Sequence, residues 1–301
     1  MTLKSSIEKI IKKNGARVGV AMHHIETGEE LMIDADNYYI LASVFKIPVL
    51  VEACFQMADG KFKPQDRWPL KVEDKNLPSG ILTFLEDGLT PTVKDILTLM
   101  IIISDNTATD IMMKHVGKTA INQRMQQLGF DHIHVPLTVR ELFEDMLPNA
   151  DPTQDLYELD KLETEEGFKR GDIALRLSPD NNVGTPREMT ALLCKIFEGK
   201  TPDRKWSDFA LQILLKQQLN DRLPRLLPPG TRVAHKTGTL AHVRNDSGII
   251  YANEKSHVAL SIFGMADRDK LPKDPTAARQ MMFNSDHAMG EIALLVYEAF
   301  K

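Results

Sequence analysis

The sequence predicts an α/β fold in which both ends of the chain build one sheet and the middle inserts an all-helical sub-domain. Three observations carry this expectation. Strand patterns cluster at residues 17–33 and again at 232–266. The stretch between them, from about residue 60 to about residue 200, carries mostly helical spacing of apolar residues. Amphipathic helical patterns then flank the strands at both termini. The expected division is residues 1–58 with 201–301 for the sheet sub-domain and 59–200 for the helical one.

Each element has its own warrant. Ile7, Ile10 and Ile11 recur at helical spacing and stop at Gly15, which predicts an N-terminal helix. Residues 17–25 are strand-like, and Glu26-Thr27-Gly28-Glu29 turns the chain into a second strand at Glu30 to Ile33. The apolar stretch from Leu41 to Met57 predicts a buried helix beginning near Ser43, with Pro48 early enough to be tolerated. Thr92 to Asp95 has capping-box spacing ahead of an apolar helix at Ile96 to Ile103. Thr185-Pro186-Arg187-Glu188 opens another helix, with proline at the first position and Gly199 as the stop. Residues 232–235, 247–251 and 257–263 predict three strands, and a last helix runs from about Pro275 to Phe300.

Composition narrows the function classes. The chain is 43% hydrophobic and 26% charged, so a packed core is expected rather than disorder. With 37 Lys and Arg against 42 Asp and Glu, the net charge is −5, which gives no electrostatic case for nucleic acid or an anionic membrane. No apolar run reaches membrane-spanning length, and the first ten residues lack a signal-peptide core. As the chain stands the expectation is cytoplasmic; a removed leader would make it periplasmic or secreted. Cys54 and Cys194 sit in apolar helical contexts as small hydrophobes, and a bond between them stays open. Histidines are scattered, with His132 and His134 alternating on an extended segment before Pro136, so no metal and no cofactor is expected. The partner expected is a small-molecule substrate, and a monomer is favoured.

Three short motifs carry the chemistry: Ser43-Val44-Phe45-Lys46, Ser104-Asp105-Asn106 and Lys236-Thr237-Gly238. A free serine hydroxyl is a poor nucleophile at neutral pH and needs a base. Lys46, one helical turn beyond Ser43 on the same face, serves as that base once burial or a nearby cation, here Lys236, depresses its pKa. The Ser43 N–H at a helix start and the Thr239 N–H on a strand would form an oxyanion site, with Gly238 allowing close approach. Ser104 would relay the proton to the leaving nitrogen, and Asn106 would hold a substrate amide. A cleft between the sheet and helical parts is the expected location.

The set resembles the serine β-lactamase and penicillin-recognising superfamily, specifically its class A branch. The neighbouring residues Ala42, Thr107 to Thr109, His235 and Thr239 and the segment Val183 to Met189 share the family's local character over residues from about 15 to about 300. The resemblance implies a β-lactamase-like α/β fold whose sheet is antiparallel, Ser43 as the acylated nucleophile, Lys46 as general base and Ser104 as proton relay. It also implies that Lys236 and Thr237 bind a substrate carboxylate. Arg244 is either a carboxylate-binding arginine, as in some members, or an ordinary strand-surface arginine.

The resemblance breaks after the second motif. Class A enzymes hydrolyse the acyl-enzyme with a glutamate in an Arg-x-Glu-x-x-Leu-Asn context, whereas residues 137–147 here hold Arg140, Glu141, Glu144 and Asp145 without the Leu-Asn pair. Two readings fit this segment: a loop supplying Glu141 or Glu144 for deacylation, or a helix displaying both to solvent, with Val139, Leu142, Phe143 and Met146 on its apolar face. An acidic insertion at 142–171 follows, expected as a solvated surface excursion. The function expected is a serine hydrolase that most directly opens β-lactam rings. The alternatives are a related esterase, amidase or peptidase with weak β-lactam activity, and a penicillin-binding protein that stays acylated.

Overall fold

Alternation with a period of two puts successive side chains of a strand on opposite faces, so a strand that is apolar throughout needs cover on both sides. In this computed structural model, which describes residues 2–77, 79–146, 173–240, 242–267, 271–272 and 274–301, the central sheet meets that demand. The acidic stretch expected at 142–171 lies outside the described residues from 147 onward.

The described residues form seven strands and nine α-helices. In chain order the strands are β1 (Arg17–His24), β2 (Glu30–Ile33), β3 (Tyr39–Ile40), β4 (Val183–Gly184), β5 (Val233–Leu240), β6 (Val243–Asn253) and β7 (Ser256–Met265). The helices are α1 (Leu3–Asn14), α2 (Lys46–Ala58), α3 (Val93–Ile102), α4 (Asn106–Val116), α5 (Lys118–Gln127), α6 (Val139–Met146), α7 (Pro186–Phe197), α8 (Arg204–Leu214) and α9 (Pro275–Phe300).

The main sheet runs β2-β1-β7-β6-β5, antiparallel at every pairing. β1 from the start of the chain pairs along its full length with β7 from the end, Arg17 opposite Met265 and His24 opposite Val258. Side chains of β6 and β7 divide by parity. Ile250, Val258, Leu260 and Ile262 face the terminal helices α1 and α9, where Ile7, Met289, Ile292 and Val296 pack against them. Ile249, Ala259 and Phe263 face the larger core shared with α2, α3, α4, α7 and α8. The α/β class and the antiparallel sheet expected from the sequence are both present.

Local chemistry explains the ends of the elements. α1 stops where Gly15 adopts the left-handed conformation, and α3 starts at a full capping box, Thr92 and Asp95 each accepting from the other's backbone N–H. The helix expected from Ser43 is divided. Residues Ala42–Phe45 form a 3-10 turn, and the α-helix begins at Lys46. Thr185 caps α7 by accepting the Glu188 N–H, but the Glu188 carboxylate accepts from the His132 N–H and contacts its Nδ1. That interaction ties α7 to the segment ahead of α6. Cys54 and Cys194 are both free and buried.

One polar link joins the sheet to the turn carrying Ser43. Asn245 on β6 donates through Nδ2 to the carbonyls of Ile40 and Leu41, at 2.8 and 3.1 Å, and its Oδ1 accepts the Gly264 N–H at 3.2 Å. Asn245 is fully buried, so truncation strands partners that water cannot reach. Asn245→Ala is expected to cost about 1–3 kcal/mol in urea unfolding. Unchanged unfolding would show that this link carries no stability.

Candidate active site

The Ser43 turn departs from ordinary backbone geometry. Ala42 has φ +44° and Ser104 has φ +59°, both in the left-handed region that side chains with a Cβ avoid. Such outliers persist only where surrounding contacts impose them. The Leu41 carbonyl accepts from Val44 N and Asn245 Nδ2, while Ser104 presents its carbonyl and hydroxyl together to one amine.

That amine is Lys46. Its Nζ is enclosed and lies 2.7 Å from Ser104 O, 3.0 Å from Ser104 Oγ and 2.9 Å from Asn106 Oδ1. Lys46 is 0% exposed. Burial pushes its ammonium down to about 7, against the opposing pull of Asp105 and Asp110. Near neutral pH the amine therefore exists in both forms. As the ammonium it donates to all three oxygens; once neutral, its lone pair is within reach of the Ser104 hydroxyl proton.

Lys236 is also 0% exposed, and its Nζ donates to the carbonyl of Thr237 at 2.7 Å. Burial, and secondarily the Lys46 charge, hold its pKa well below the ordinary lysine value. The depression of Lys46 itself comes from burial.

Gly238 fits between β5 and the Ser43 turn. A Cβ there would come within 2.6 Å of the Leu41 carbonyl oxygen and 3.2 Å of Val44 N. Behind this strand, the buried guanidinium of Arg222 donates to Gly238 O (3.0 Å), Asn245 O (2.8 Å) and Thr239 Oγ1 (2.7 Å), and its Nε donates to Asp286 (2.7 Å).

A cavity of about 400 Å³ opens against these residues. Ser43, Asn106, Thr239 and Arg244 all line it, together with Ser79, Asn181 and Asn182. Arg244 donates to the Leu240 and Val243 carbonyls and lies 3.5 Å from Asp286. The α6 side of the cavity is apolar: Val139, Leu142, Phe143 and Met146 all line it. Glu141 and Glu144 do not. Glu141 pairs with Lys118 at 2.6 Å, and Glu144 is exposed. Among the described residues lining the cavity there is no carboxylate.

Three contributors had no sequence signal. Ser79 donates to Ser104 O at 2.8 Å. Asn182 clamps both backbone groups of Leu137, while its carbonyl accepts the Leu41 N–H. Arg222 reaches partners 16 to 64 residues away. Only such distant contacts identify it, and no local pattern encodes them. Among the described residues no group of His, Cys, Asp and Glu is placed to hold a metal ion.

A family profile described as "Beta-lactamase enzyme family" matches residues 2–300. The chain belongs to this β-lactamase enzyme family. Among curated relatives, Beta-lactamase VEB-1 of Pseudomonas aeruginosa is 26% identical over 276 residues, covering 87% of this chain and 81% of that protein. Two solved structures share the fold. An ancestral class A β-lactamase superposes with a TM-score of 0.78 at 21% identity, covering 99% of this chain and 100% of the other. PBP-A, solved as an L158E mutant in an acyl-enzyme complex with penicillin G, gives a TM-score of 0.76 at 20% identity over 99% and 95%. The α/β fold with its antiparallel sheet is that of the class A β-lactamases. Among the described residues of this β-lactamase family member, no helix is long and apolar enough to cross a membrane.

Gly238→Ala tests the close approach of β5. The added methyl is expected to cost about 1–3 kcal/mol and, by displacing the Ser43 turn, to lower kcat/KM by about tenfold or more. A variant with wild-type stability and turnover would show that the strand has room to shift.

Proposed function

We propose that this β-lactamase family member is a serine hydrolase that opens β-lactam rings through an acyl-enzyme on Ser43. The observation that carries the reading is the enclosed Lys46 amine, poised near pH 7, joined to Ser104 and Asn106 beside a cavity that Ser43 also lines. Such an amine is matched to accepting a proton at neutral pH.

In the proposed reaction Ser43 Oγ attacks the ring carbonyl and its proton passes to neutral Lys46. Ser104 Oγ then gives a proton to the departing ring nitrogen and is replenished from Lys46. The backbone N–H groups of Ser43 and Thr239 hold the developing oxyanion. Lys236, Thr237 and Arg244 bind the substrate carboxylate. The second Nδ2 hydrogen of Asn106, whose amide already bonds Lys46 and Leu77, holds a substrate amide oxygen.

A second reading has its own support. The α6 wall is apolar and Glu141 is held by Lys118, which favours a protein that is acylated faster than it is deacylated. Intact-mass spectrometry after mixing with benzylpenicillin separates the two. An adduct on Ser43 that forms and decays supports hydrolysis; a persistent adduct supports the penicillin-binding reading. Absence of both an adduct and benzylpenicillin turnover refutes both.

Ser43→Ala is expected to remove nitrocefin turnover altogether, and Lys46→Ala to slow acylation on the order of 10²–10⁴-fold. Wild-type acylation should rise with pH through a midpoint near the Lys46 value of about 7, because only the neutral amine accepts the serine proton. A rate flat across that range would remove Lys46 as the base. Exchanging Glu141 and Glu144 singly for Gln should leave deacylation unchanged, and accumulation of acyl-enzyme in either variant would return that carboxylate to the mechanism.

A further inference from the structure

The residues that line the cavity divide by chemistry. Leu77, Met146 and Ala174 form a small buried cluster of their own, and Leu142, Phe143 and Leu240 pack against it while only partly buried. All of these except Leu77 line the cavity. The charges of α6 are committed elsewhere. Glu141 pairs with Lys118 at 2.6 Å, Glu144 is exposed, and Asp145 accepts the Ala174 N–H at 3.1 Å, which ties residue 174 to the helix. The wall is thus a small apolar core with one side left uncovered. An apolar group set against it leaves water as a core side chain does, and gains in proportion to the area it buries.

We propose that this wall is an acyl-chain subsite, through which the protein accepts uncharged, apolar acyl groups from open-chain esters as well as from β-lactams, with Leu142 and Phe143 setting the preference. The proposal rests on the acyl-enzyme reading and extends it to a second class of substrate. The wall meets the acyl side because α6 packs on α4, whose first residue, Asn106, is the group assigned above to a substrate amide. Arg244 is the one cation among the described lining residues, and it is assigned to the ring carboxylate. An anion on the acyl chain would therefore lose hydration against α6 with no charge to replace it. A ring is not needed for the step itself. Ser43 Oγ bonds to the ester carbonyl carbon and its proton goes to Lys46; the ester C–O bond breaks and the alcohol leaves with a proton from Ser104, which Lys46 restores. Water then takes the acyl group as the carboxylic acid and returns the hydroxyl to Ser43.

The p-nitrophenyl esters of acetate, butanoate and hexanoate, with the mono-p-nitrophenyl ester of adipate, test the subsite on the full chain. Release of p-nitrophenol is followed by absorbance, with the rate of Ser43→Ala subtracted. From acetate to hexanoate kcat/KM is expected to rise about two- to threefold per methylene, somewhat below full transfer because the wall covers one side of the chain. The adipate ester ends the same six-carbon chain in a carboxylate and is expected to react about tenfold more slowly than hexanoate, or slower still. Leu142→Ser and Phe143→Ser should each lower the gain per methylene, and Leu142→Lys should bring adipate level with hexanoate. A merely destabilised variant would slow all four esters alike and keep their ratios. A wild-type series that is flat with chain length overturns the proposal, and ratios unchanged in whichever variants fold overturn its assignment to α6. Benzylpenicillin run in parallel distinguishes the two readings. Chain-length-dependent ester turnover with neither adduct nor turnover of benzylpenicillin sinks the β-lactam reading alone; a penicillin adduct without ester preference sinks the subsite alone.

Discussion

An amine with no solvent contact must be surrounded by oxygen, and the rest of this site follows from how Lys46 meets that requirement. Taking an ammonium out of water costs several kcal/mol even after relaxation. Three acceptors offset part of that cost, and two come from Ser104, whose left-handed backbone turns its carbonyl and hydroxyl to the same Nζ. The remaining cost is visible in the depressed pKa. Strain at Ser104 and basicity at Lys46 are therefore two sides of one arrangement. The Ser104 carbonyl also accepts from Ser79, which anchors the loop at the cavity edge.

The opposite wall is governed by close approach rather than charge. β5 can run against the Ser43 turn because position 238 has no side chain, and Arg222 then fixes the strand from behind through two carbonyls and the Thr239 hydroxyl. Arg222 is anchored in turn by Asp286 on α9, so the terminal helix contributes to the geometry of a site it does not line. Asn245 closes the circuit by bonding the backbone immediately before Ser43.

What the sequence disclosed follows the range of the interactions involved. Helix ends set by nearby residues were legible, such as the Thr92–Asp95 box, the Gly15 stop and the Pro275 start. So were the strands whose two faces both need cover. The paired strands β3 and β4, each two residues long, are too short to show a period. The 3-10 turn before α2 lies inside a long, mostly apolar stretch and is imposed by partners on β6. Within the site, the motif residues Ser43 and Asn106 meet Thr239, next to the third motif, at one cavity, and Arg244, open between two readings, lines it too. The apolar face anticipated for residues 139–146 turned out to be the cavity wall, which leaves Glu141 to Lys118. Arg222 and Asn182 carry no local signature, because each acts through contacts distant in sequence.

The pairing of β1 with β7 also orders events during synthesis. The Ser43 turn, α2 and the Ser104 segment are all made early, but the sheet against which they are set is completed only when residues 256–265 arrive. Lys236 and Gly238 sit on a strand joined to β1 solely through β6 and β7. Until then β1 and β2 form a two-stranded ribbon with an open edge, which is marginal in water and prone to pairing with other chains. A ribosome-bound chain thus carries Ser43 and Lys46 long before it has the cavity beside which they will sit.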